Sequence, residues 1–325
     1  QLTSTNSSIG LIYALKKISK NIILNMKKKI IILNGTNGII GSQLYKNLRS
    51  NYKIVRISNR KSKNKNINFL DYNKYIELVK FFCKFKEVHA FLYCGWGDVY
   101  SPFSKNHLSE NLRFAKNSLK AYFHSGHSNF IFFGSTSEYG DLKGNILEKH
   151  SHKGVLRSYD KSKKLFSKFG FLTSSKKKKK FIHLRISNVL SPYQKKNSLI
   201  SYLHQNKKKS EIRLSSLDYY KDYIFIDDLV NGIKKIIENS NVSEIINLAS
   251  SRSILAKKFT IKYFDRLGGK KHSLLFQKDI KCTYGRKNKY FKIDISKLKK
   301  KYKFKPKTAL NDAIVKTIKS YKVIN

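Results

Sequence analysis

The chain has 325 residues, with 68 Lys or Arg against 20 Asp or Glu, and its formal net charge is +48 at pH 7. This length can bury a sizeable core in one large domain or in a domain with an appended lobe, and no stretch approaches the roughly 20 apolar residues of a membrane span. Three cysteines without CxxC spacing and nine scattered histidines predict no zinc, other metal or redox motif, and they favour a reducing compartment, the cytoplasm.

Residues 1–25 contain no acidic residue and are rich in Ser, Thr and Asn. A transit peptide would explain this composition, but the segment has neither an initiator methionine nor an arginine. We expect the fold to begin at Met26, where a strand-like run follows directly. Residues 1–25 are then an N-terminal extension outside the fold.

Between residues 30 and 187, short apolar runs alternate with stretches of helical spacing. The runs predict strands over 30–33, 52–58, 88–94, 129–135 and 180–187. The helical spacing predicts helices over 39–49, 75–85, 108–126 and 158–172. This alternation indicates an α/β fold, a doubly wound parallel Rossmann sheet with helices on both faces. The lysine-rich stretch 174–181 is interpreted as a solvated loop.

After Pro192 the alternation is less regular. Short strands are predicted over 211–214, 222–226 and 244–249, with a helix over 227–239. We interpret this part as a smaller C-terminal substrate-binding lobe over the carboxyl edge of the sheet, where ligands bind in such folds. The predicted domains are therefore 26–190 for the Rossmann domain and 191–325 for the smaller lobe, which is interleaved with it.

A glycine triplet lies between the first predicted strand and its helix. In GTNGIIG, Gly35, Gly38 and Gly41 permit a tight turn and a close backbone approach. Amides at the helix N-terminus can then hold a pyrophosphate. The strand before the triplet and the helix after it distinguish it from a glycine-rich turn without a ligand, so we predict a dinucleotide site.

The end of the second strand discriminates between NAD and NADP. An NAD site usually has a carboxylate there, which accepts hydrogen bonds from the ribose. The sequence has Ser58 instead, followed by Asn59 and Arg60. A guanidinium suits a 2′-phosphate, so NADP is slightly favoured over NAD. The alternative is a surface arginine in a chain full of cations.

A candidate catalytic pair stands in YDKSK. Tyr159 and Lys163 are four residues apart and therefore share a helix face. A nearby ammonium stabilises tyrosinate and lowers a phenol pKa that is otherwise about 10. The pair is then a general acid/base for a sugar hydroxyl or a ketone. A hydroxyl of FFGSTSEYGD (132–141), which follows a strand, would complete the site.

In this order and spacing, the segments resemble the extended short-chain dehydrogenase/reductase superfamily, specifically the NAD-dependent epimerase/dehydratase family of nucleotide-sugar enzymes. The resemblance covers about residues 28–323 and is carried by GTNGIIG, SENLRFAKNSLKA, GSTSEYGD, YDKSK, LRISNVLSPYQ and KDYIFIDDLVNGI. As a set these motifs are specific for the family, although not for one substrate.

The resemblance implies a role for each matching residue. It assigns the adenine to Asp71, the nicotinamide ribose to Lys163 and support of the active-site lysine to Asn111. The catalytic residues are Ser135, Tyr159 and Lys163, with Thr136 as the second choice for the hydroxyl. The predicted cofactor-binding residues are Gly35, Asn37, Gly38, Ile39, Ile40, Gly41, Ser58, Arg60, Asp71, Asn111, Tyr159 and Lys163.

The resemblance also assigns residues to the sugar nucleotide. The predicted substrate-binding residues are Ser135, Thr136, Asn188 and Lys221. A strand-helix junction that closes the lobe would contain Asp222, Tyr223, Asp227 and Asp228, although Asp227 and Asp228 equally suit a helix cap. Members of the family often dimerise through a four-helix bundle that includes the helix of the catalytic tyrosine, so a homodimer is expected.

The sequence departs from the family pattern at three places. LYCGWG (92–97) replaces the usual His-Leu-Ala-Ala, and Lys221 stands where an arginine usually precedes Asp-Tyr. Dehydratases carry an Asp-Glu pair after the catalytic threonine, whereas this chain has Thr136 and Ser137, which disfavours dehydration. The EYG ending (138–140) is similar to that of reductases and epimerases that act on 6-deoxy-4-keto sugars.

Two function classes remain. The first is an NAD(P)-dependent epimerase or 4-keto reductase that transfers a hydride at a carbon, most simply C4, of an NDP-hexose. The second is a catalytically idle RNA-binding protein that uses its basic surface. Lysine outnumbers arginine 58 to 10 and is found in every segment, which favours codon drift over a nucleic-acid partner, because nucleic-acid surfaces tend to use arginine. The intact trio of Ser135, Tyr159 and Lys163 favours the enzyme.

Overall fold

The computed structural model describes residues 28–278 and 290–324. The expectations for residues 1–25 and for Met26 lie outside the described residues. The strands are β1 (Ile30–Asn34), β2 (Lys53–Ser58), β3 (Ile67–Phe69), β4 (Ala90–Tyr93), β5 (Phe130–Phe133), β6 (Gly144–Ile146), β7 (Phe181–Ile186), β8 (Asn188–Leu190), β9 (Tyr193–Lys195), β10 (Ile212–Ser215), β11 (Tyr220–Phe225), β12 (Glu244–Leu248), β13 (Ser253–Leu255), β14 (Leu274–Gln277), β15 (Phe291–Ile293) and β16 (Lys322–Ile324).

The α-helices are α1 (Ile39–Leu48), α2 (Tyr75–Cys83), α3 (Glu110–His124), α4 (Ser158–Lys176), α5 (Leu199–Gln205), α6 (Ile226–Asn239), α7 (Ala256–Arg266), α8 (Ser296–Tyr302) and α9 (Leu310–Lys319). Short 3₁₀ turns are formed by Lys105–His107, Thr136–Tyr139 and Lys271–Ser273. Within these residues, no helix combines the length and the apolar character needed to cross a membrane.

Seven strands form one parallel sheet in the order β12-β7-β5-β4-β1-β2-β3. The chain runs outward from β1 to β3, returns to β4 beside β1, and continues to the other edge. This is the doubly wound Rossmann order, and the prediction of the fold class is confirmed. The strand order reverses between β1 and β4, so a ligand crevice is expected beyond their carboxyl ends.

Strands β4 and β5 in the middle of the sheet are apolar along their whole length because both faces of the sheet are covered. Ile31 and Leu33 of β1 pack in one cluster with Leu44 of α1 and with residues of α6. Ile32, which points to the opposite face, packs in a second cluster with Phe166 of α4. The helices on the two faces of the sheet therefore pack against β1 and fix the position of the turn that follows it.

The second cluster is largely aromatic and fixes α4 against the sheet. Phe166 meets Phe132 of β5 edge-on, with ring centres 4.6 Å apart, a favourable aromatic geometry. Gly170 allows the close approach, because a Cβ there would lie 2.3 Å from the Phe181 ring. The helix that carries Tyr159 and Lys163 is therefore held tightly on β5 and β7.

The structure differs from the sequence prediction at two elements. The pattern over 244–249 predicts a lobe strand, whereas β12 pairs with β7 at the edge of the central sheet. Strand periodicity does not identify the pairing partner, and the return of the chain depends on α6 packing beside α1. In addition, α4 continues to Lys176, so the loop begins at Lys177, three residues later than predicted.

Asp228 is neither an N-cap nor a surface carboxylate. It is buried in the first turn of α6, and its carboxylate oxygens accept the backbone N–H groups of Lys307 (3.2 Å) and Thr308 (2.8 Å). Asp227, its neighbour, is exposed. Asp228 thus ties α6 to the segment that leads into α9, and both carboxylates lie in the first turn, where negative charge interacts favourably with the helix dipole.

Lysines lie on helices of every layer. Exposed lysines include Lys46 on α1 and Lys235 on α6, which cover one face of the sheet. Lys80 on α2 and Lys120 on α3 lie on the other face, and Lys316 belongs to α9. Codon drift predicts this distribution, whereas a nucleic-acid surface would concentrate the cations on one face.

Candidate active site

The glycines in the turn after β1 lie very close to neighbouring backbone atoms. Gly35 has φ +70°, and a Cβ there would lie 2.6 Å from the Gly95 amide nitrogen after β4. A Cβ on Gly41 would lie 2.2 Å from the Gly35 carbonyl oxygen, and the Gly38 N–H donates to that same oxygen at 2.9 Å. Only glycine satisfies the conformation and the spacing here.

Helix α1 begins at the crevice without a side-chain cap among the described residues. Its N-cap is Gly38, and its first turn contains no acidic residue. Asn37 is exposed, and Ile39 and Ile40 are partly buried. A helix start with uncapped amides attracts a phosphate group. The residues present therefore fit a dinucleotide, whose pyrophosphate would lie on these amides.

Asn34 joins the two strands at the switch point, and no sequence motif singled it out. Its Oδ1 accepts the N–H groups of Cys94 (2.7 Å) and Gly95 (2.9 Å). The Cys94 thiol donates to the Asn34 carbonyl at 2.8 Å. Burial raises the pKa of this thiol to about 12, so it stays protonated as a donor.

The residues predicted to bind the ribose and the adenine of the cofactor follow β2 and β3. The Ser58 hydroxyl donates to the Arg60 carbonyl at 2.9 Å and accepts the Arg60 N–H at 3.0 Å. The Arg60 guanidinium reaches the loop after β4, since a Cβ on Gly97 would lie 3.8 Å from it. Asp71 is partly buried and accepts the Asn73 N–H at 2.9 Å.

Lys163 is buried between α4 and the sheet, beside Tyr159. Its Nζ donates to the Phe133 carbonyl at 2.6 Å and lies 5.0 Å from the centre of the Tyr159 ring. The same Nζ lies 4.7 Å from the ring of Trp96. Since Phe133 ends β5 and Ser135 follows two residues later, this bond ties the predicted pair to the end of the strand that leads to the predicted hydroxyl.

Burial changes the ionisation of Lys163. Desolvation lowers the pKa of its ammonium to about 8, although the carboxylates of Glu138 and Asp160 favour the charged form. The ammonium is therefore present at neutral pH and is lost a little above it. A cation at this position favours the ionised phenol of Tyr159.

His107, which the sequence did not single out, packs edge-on against Tyr159 with ring centres 5.2 Å apart. Trp96 Nε1 can only donate, so His107 Nδ1 accepts its hydrogen bond at 3.2 Å. His107 Nε2 then carries the proton and donates to the Ser101 carbonyl at 3.0 Å. Burial lowers the pKa of His107, which keeps it neutral in this arrangement.

Asn111, assigned by the family resemblance to support the lysine, contacts the loop after β4. Its Oδ1 accepts the Gly97 N–H at 3.0 Å, and its Nδ2 donates to the Gly97 carbonyl at 3.2 Å and to His107 Nδ1 at 3.3 Å. These bonds hold the Trp96 loop and the His107 ring together. Through His107, Asn111 is linked to Tyr159.

Ser135 begins a 3₁₀ turn and is oriented by it. Its hydroxyl accepts the Ser137 N–H at 3.1 Å, and its own N–H donates to Glu138 Oε1 at 2.7 Å. Glu138 is buried and accepts His183 Nε2 at 3.1 Å. Desolvation alone would raise the pKa of Glu138, but His183 and Arg185 outweigh it and hold that pKa below its usual value.

A cleft lies beside this turn, and two of the four predicted substrate residues line it. Thr136, Ser137, Tyr139 and Asn188 line it together with residues of β11 and β15. Asn188 Nδ2 donates to the Asp222 carbonyl at 3.1 Å. Lys221 is absent from the described lining residues, and its Nζ lies 5.4 Å from the centre of the Tyr219 ring.

The sequence model of the NAD dependent epimerase/dehydratase family matches residues 31–249. This range runs from β1 to the residue after β12 and therefore contains the whole central sheet except the first residue of β1. It also contains the glycine turn, the Ser135 turn, Tyr159 and Lys163.

Curated relatives and solved structures are similar to the chain over different lengths. CDP-abequose synthase of Salmonella typhimurium is 30% identical over 86 residues, 26% of this chain, so the chain spans only 29% of that relative. ADP-L-glycero-D-manno-heptose-6-epimerase of Brachyspira hyodysenteriae is 26% identical over 245 residues, 69% of this chain and 77% of that protein. UDP-glucuronic acid 4-epimerase from Bacillus cereus, in complex with UDP-glucuronic acid and NAD, has a TM-score of 0.74 at 20% identity over 90% of this chain and 98% of that chain.

Proposed function

Because the chain belongs to the NAD-dependent epimerase/dehydratase family, we propose that it is an NAD(P)-dependent enzyme that transfers a hydride at C4 of a nucleotide-diphosphate hexose. The observation that carries this proposal is the convergence of three groups at the carboxyl edge of the sheet. Lys163 lies beside the Tyr159 ring and bonds to the end of β5, from which Ser135 follows. The glycine turn that fits a dinucleotide lies at the neighbouring switch point.

The chain's own residues would bind and orient the reactants. The turn of Gly35, Gly38 and Gly41 would hold the pyrophosphate, and Asp71 the adenine end. A bound nicotinamide supplies the hydride. Asn188 and Thr136 line the cleft proposed for the sugar nucleotide. The Ser135 hydroxyl would donate a hydrogen bond to the sugar oxygen and keep it beside Tyr159.

In the reducing direction, the Tyr159 hydroxyl gives its proton to the ketone oxygen as the carbon receives the hydride, and the product is an alcohol. The Lys163 ammonium stabilises the tyrosinate that remains, and a proton from solvent restores the phenol. Positioned acid/base groups of this kind contribute roughly 10²–10⁴-fold to the rate. Ser135 at the sugar oxygen and Lys163 at the phenol thus assist the same proton transfer.

We propose NADPH as the preferred cofactor. The support is local: β2 ends in Ser58 rather than a carboxylate, and the Arg60 guanidinium lies over the loop after β4, near the crevice. A 2′-phosphate carries negative charge that a carboxylate would repel and that a guanidinium can bind bidentately.

Replacing Arg60 with alanine is expected to weaken NADPH binding by roughly 10- to 100-fold, because hydrogen bonds to charged groups contribute about 1.5–3 kcal/mol. NADH affinity should change by less than about twofold. Calorimetric titration with both cofactors measures the difference. Lys61→Ala, which removes an adjacent exposed cation, is the control. Equal losses for NADPH and NADH would refute the assignment of Arg60 to the 2′-phosphate.

The rate of reduction is expected to fall as the pH rises through about 8, because burial lowers the pKa of Lys163 to that value. The unfolded lysine titrates near 10.5. Between these values the unfolded chain holds a proton that the folded chain has released, so the contribution of Lys163 to the free energy of unfolding increases with pH. Thermal unfolding at each pH separates the two effects. Turnover that is unchanged well above pH 8 would contradict the role of the ammonium.

An epimerase is the second candidate, favoured by the match to the heptose epimerase over 69% of this chain. It would oxidise and re-reduce one carbon without net consumption of cofactor. NDP-4-keto-6-deoxyhexoses incubated with NADPH test the first reaction by stoichiometric oxidation of the cofactor. UDP-hexoses incubated with a trace of NAD test the second by chromatography of the sugars. If neither substrate class reacts while the cofactor binds, the proposed reaction is wrong.

We further propose that residues 26–190 and 191–325 act as the cofactor and substrate parts, and that the chain forms a homodimer through a four-helix bundle that includes α4. Leu165 and Leu172 of α4 are exposed by 41% and 54%, which supports an apolar contact between copies. Analytical ultracentrifugation of Leu172→Glu tests the dimer.

Cys83 and Cys94 carry free thiols, in keeping with the cytoplasmic location that we propose.

A further inference from the structure

A buried ion pair lies between the two catalytic elements and takes no part in the proposed proton transfer. The Asp160 carboxylate accepts Arg157 Nε at 2.7 Å and a second guanidinium nitrogen at 3.0 Å. The Ser137 hydroxyl donates to Asp160 Oδ1 at 2.7 Å. Asp160 is fully buried, and Arg157 is 3% exposed. A charge so deeply buried needs partners of this kind.

The bond from Ser137 to Asp160 crosses from one catalytic element to the other. Asp160 follows Tyr159 directly in the first turn of α4. Ser137 lies two residues after Ser135, and its N–H donates to the Ser135 hydroxyl at 3.1 Å. Ser137 therefore connects two elements. Its N–H binds the Ser135 hydroxyl, and its own hydroxyl binds the helix turn that presents Tyr159.

The opposite side of the Ser135 turn is held by the sheet. Glu138 accepts the Ser135 N–H and is itself bonded to His183 of β7. His183 Nδ1 is in turn 2.7 Å from the Ser167 hydroxyl of α4. The turn is therefore fixed to β7 by Glu138 and to α4 by Asp160. Removing one attachment leaves the other in place, which makes the two separable by mutation.

We propose that Asp160 is a positioning residue, which fixes the Ser135 turn relative to Tyr159 by accepting the Ser137 hydroxyl. The inference rests on the proposed function, in which both hydroxyls contact one sugar oxygen. A misplacement of about 1 Å can cost about 10²-fold in rate. Arg157 compensates the charge of Asp160, so the carboxylate remains a strong acceptor inside the protein.

Kinetics of two serine variants test the proposal. Ser137→Ala removes the bond to Asp160, and Ser174→Ala removes another buried hydroxyl, which donates to the Phe171 carbonyl further along α4. We expect kcat to fall about tenfold or more in Ser137→Ala, since orientation is lost, with KM for the cofactor unchanged. Ser137→Thr, which keeps the hydroxyl, should restore most of kcat. Equal kcat in the two alanine variants would overturn the proposal.

Amide hydrogen exchange tests the same bond without any substrate. Peptides covering residues 134–140 and 158–162 should both exchange faster in Ser137→Ala and stay protected in Ser174→Ala. If exchange is faster in Ser137→Ala but the wild-type protein does not turn over the proposed substrates, the positioning bond is established and the proposed reaction is wrong. Unchanged exchange in both peptides would overturn the role of Asp160, whatever the activity.

Discussion

Replacing Tyr159 with phenylalanine is expected to lower kcat by roughly 10³-fold, within the range attributed to positioned acid/base groups. The phenyl ring keeps the packing against His107, whose ring centre is 5.2 Å away, and the cation-π contact with Lys163. Only the hydroxyl is lost. NADPH affinity should therefore stay within about twofold, because the ground-state contacts of the cofactor are unchanged.

The measurement is steady-state turnover combined with calorimetric titration of NADPH. Tyr75→Phe is the matched control, since its hydroxyl bonds to His124 Nδ1 at 2.9 Å on the outer surface of α2 and α3. It should leave kcat unchanged. If Tyr159→Phe kept more than about a tenth of the turnover, far above the expectation for loss of a general acid, the proton would have to come from another hydroxyl, such as that of Thr136.

Gly35→Ala is expected to abolish cofactor binding and to destabilise the fold by about 3 kcal/mol or more, the sum of the left-handed backbone cost and of overpacking. The new Cβ would lie 2.6 Å from the backbone nitrogen of Gly95. Neither backbone can yield without moving β1 from β4. The first-turn amides of α1 would then no longer face the crevice in their present position.

Gly144→Ala separates the two contributions. Gly144 has nearly the same backbone angle, φ +75°, but nothing lies within 4 Å of a Cβ there. It should lose only the conformational part, about 1–2 kcal/mol, and bind NADPH normally. Urea unfolding and calorimetric titration of both variants give the comparison. Similar behaviour of the two variants would mean that the turn does not need its close approach to β4.

Local pattern predicted most of the central sheet. Strands such as Ala90–Tyr93 and Phe130–Phe133 are continuous apolar runs because both faces are covered. The glycine turn was predictable since the strand before it and the helix after it define its place in the chain. The spacing of Tyr159 and Lys163 predicted that the two residues share a helix face. The burial of Lys163, which lowers the pKa of its ammonium, was seen only in the structure.

Contacts between distant segments were not predictable from local pattern. Glu244–Leu248 has the periodicity of any short strand, and only the packing of α6 determines that it joins the central sheet. No motif in the sequence assigns a role to the side chains of Asn34, Glu138 and His107, although Glu138 belongs to the EYG ending. Their importance comes from partners 45 to 61 residues away for Asn34 and Glu138, and from a ring contact with Tyr159 for His107.

Trp96 is the single tryptophan of the chain, and its indole lies 4.7 Å from the Lys163 ammonium. The ultraviolet emission of the protein therefore comes chiefly from one ring at the centre of the candidate site. Binding of a reduced nicotinamide nearby would quench that emission by energy transfer, and protonation of Lys163 would shift it through the electric field on the indole. The unmodified protein thus carries its own optical probe of occupancy and charge, with no label needed.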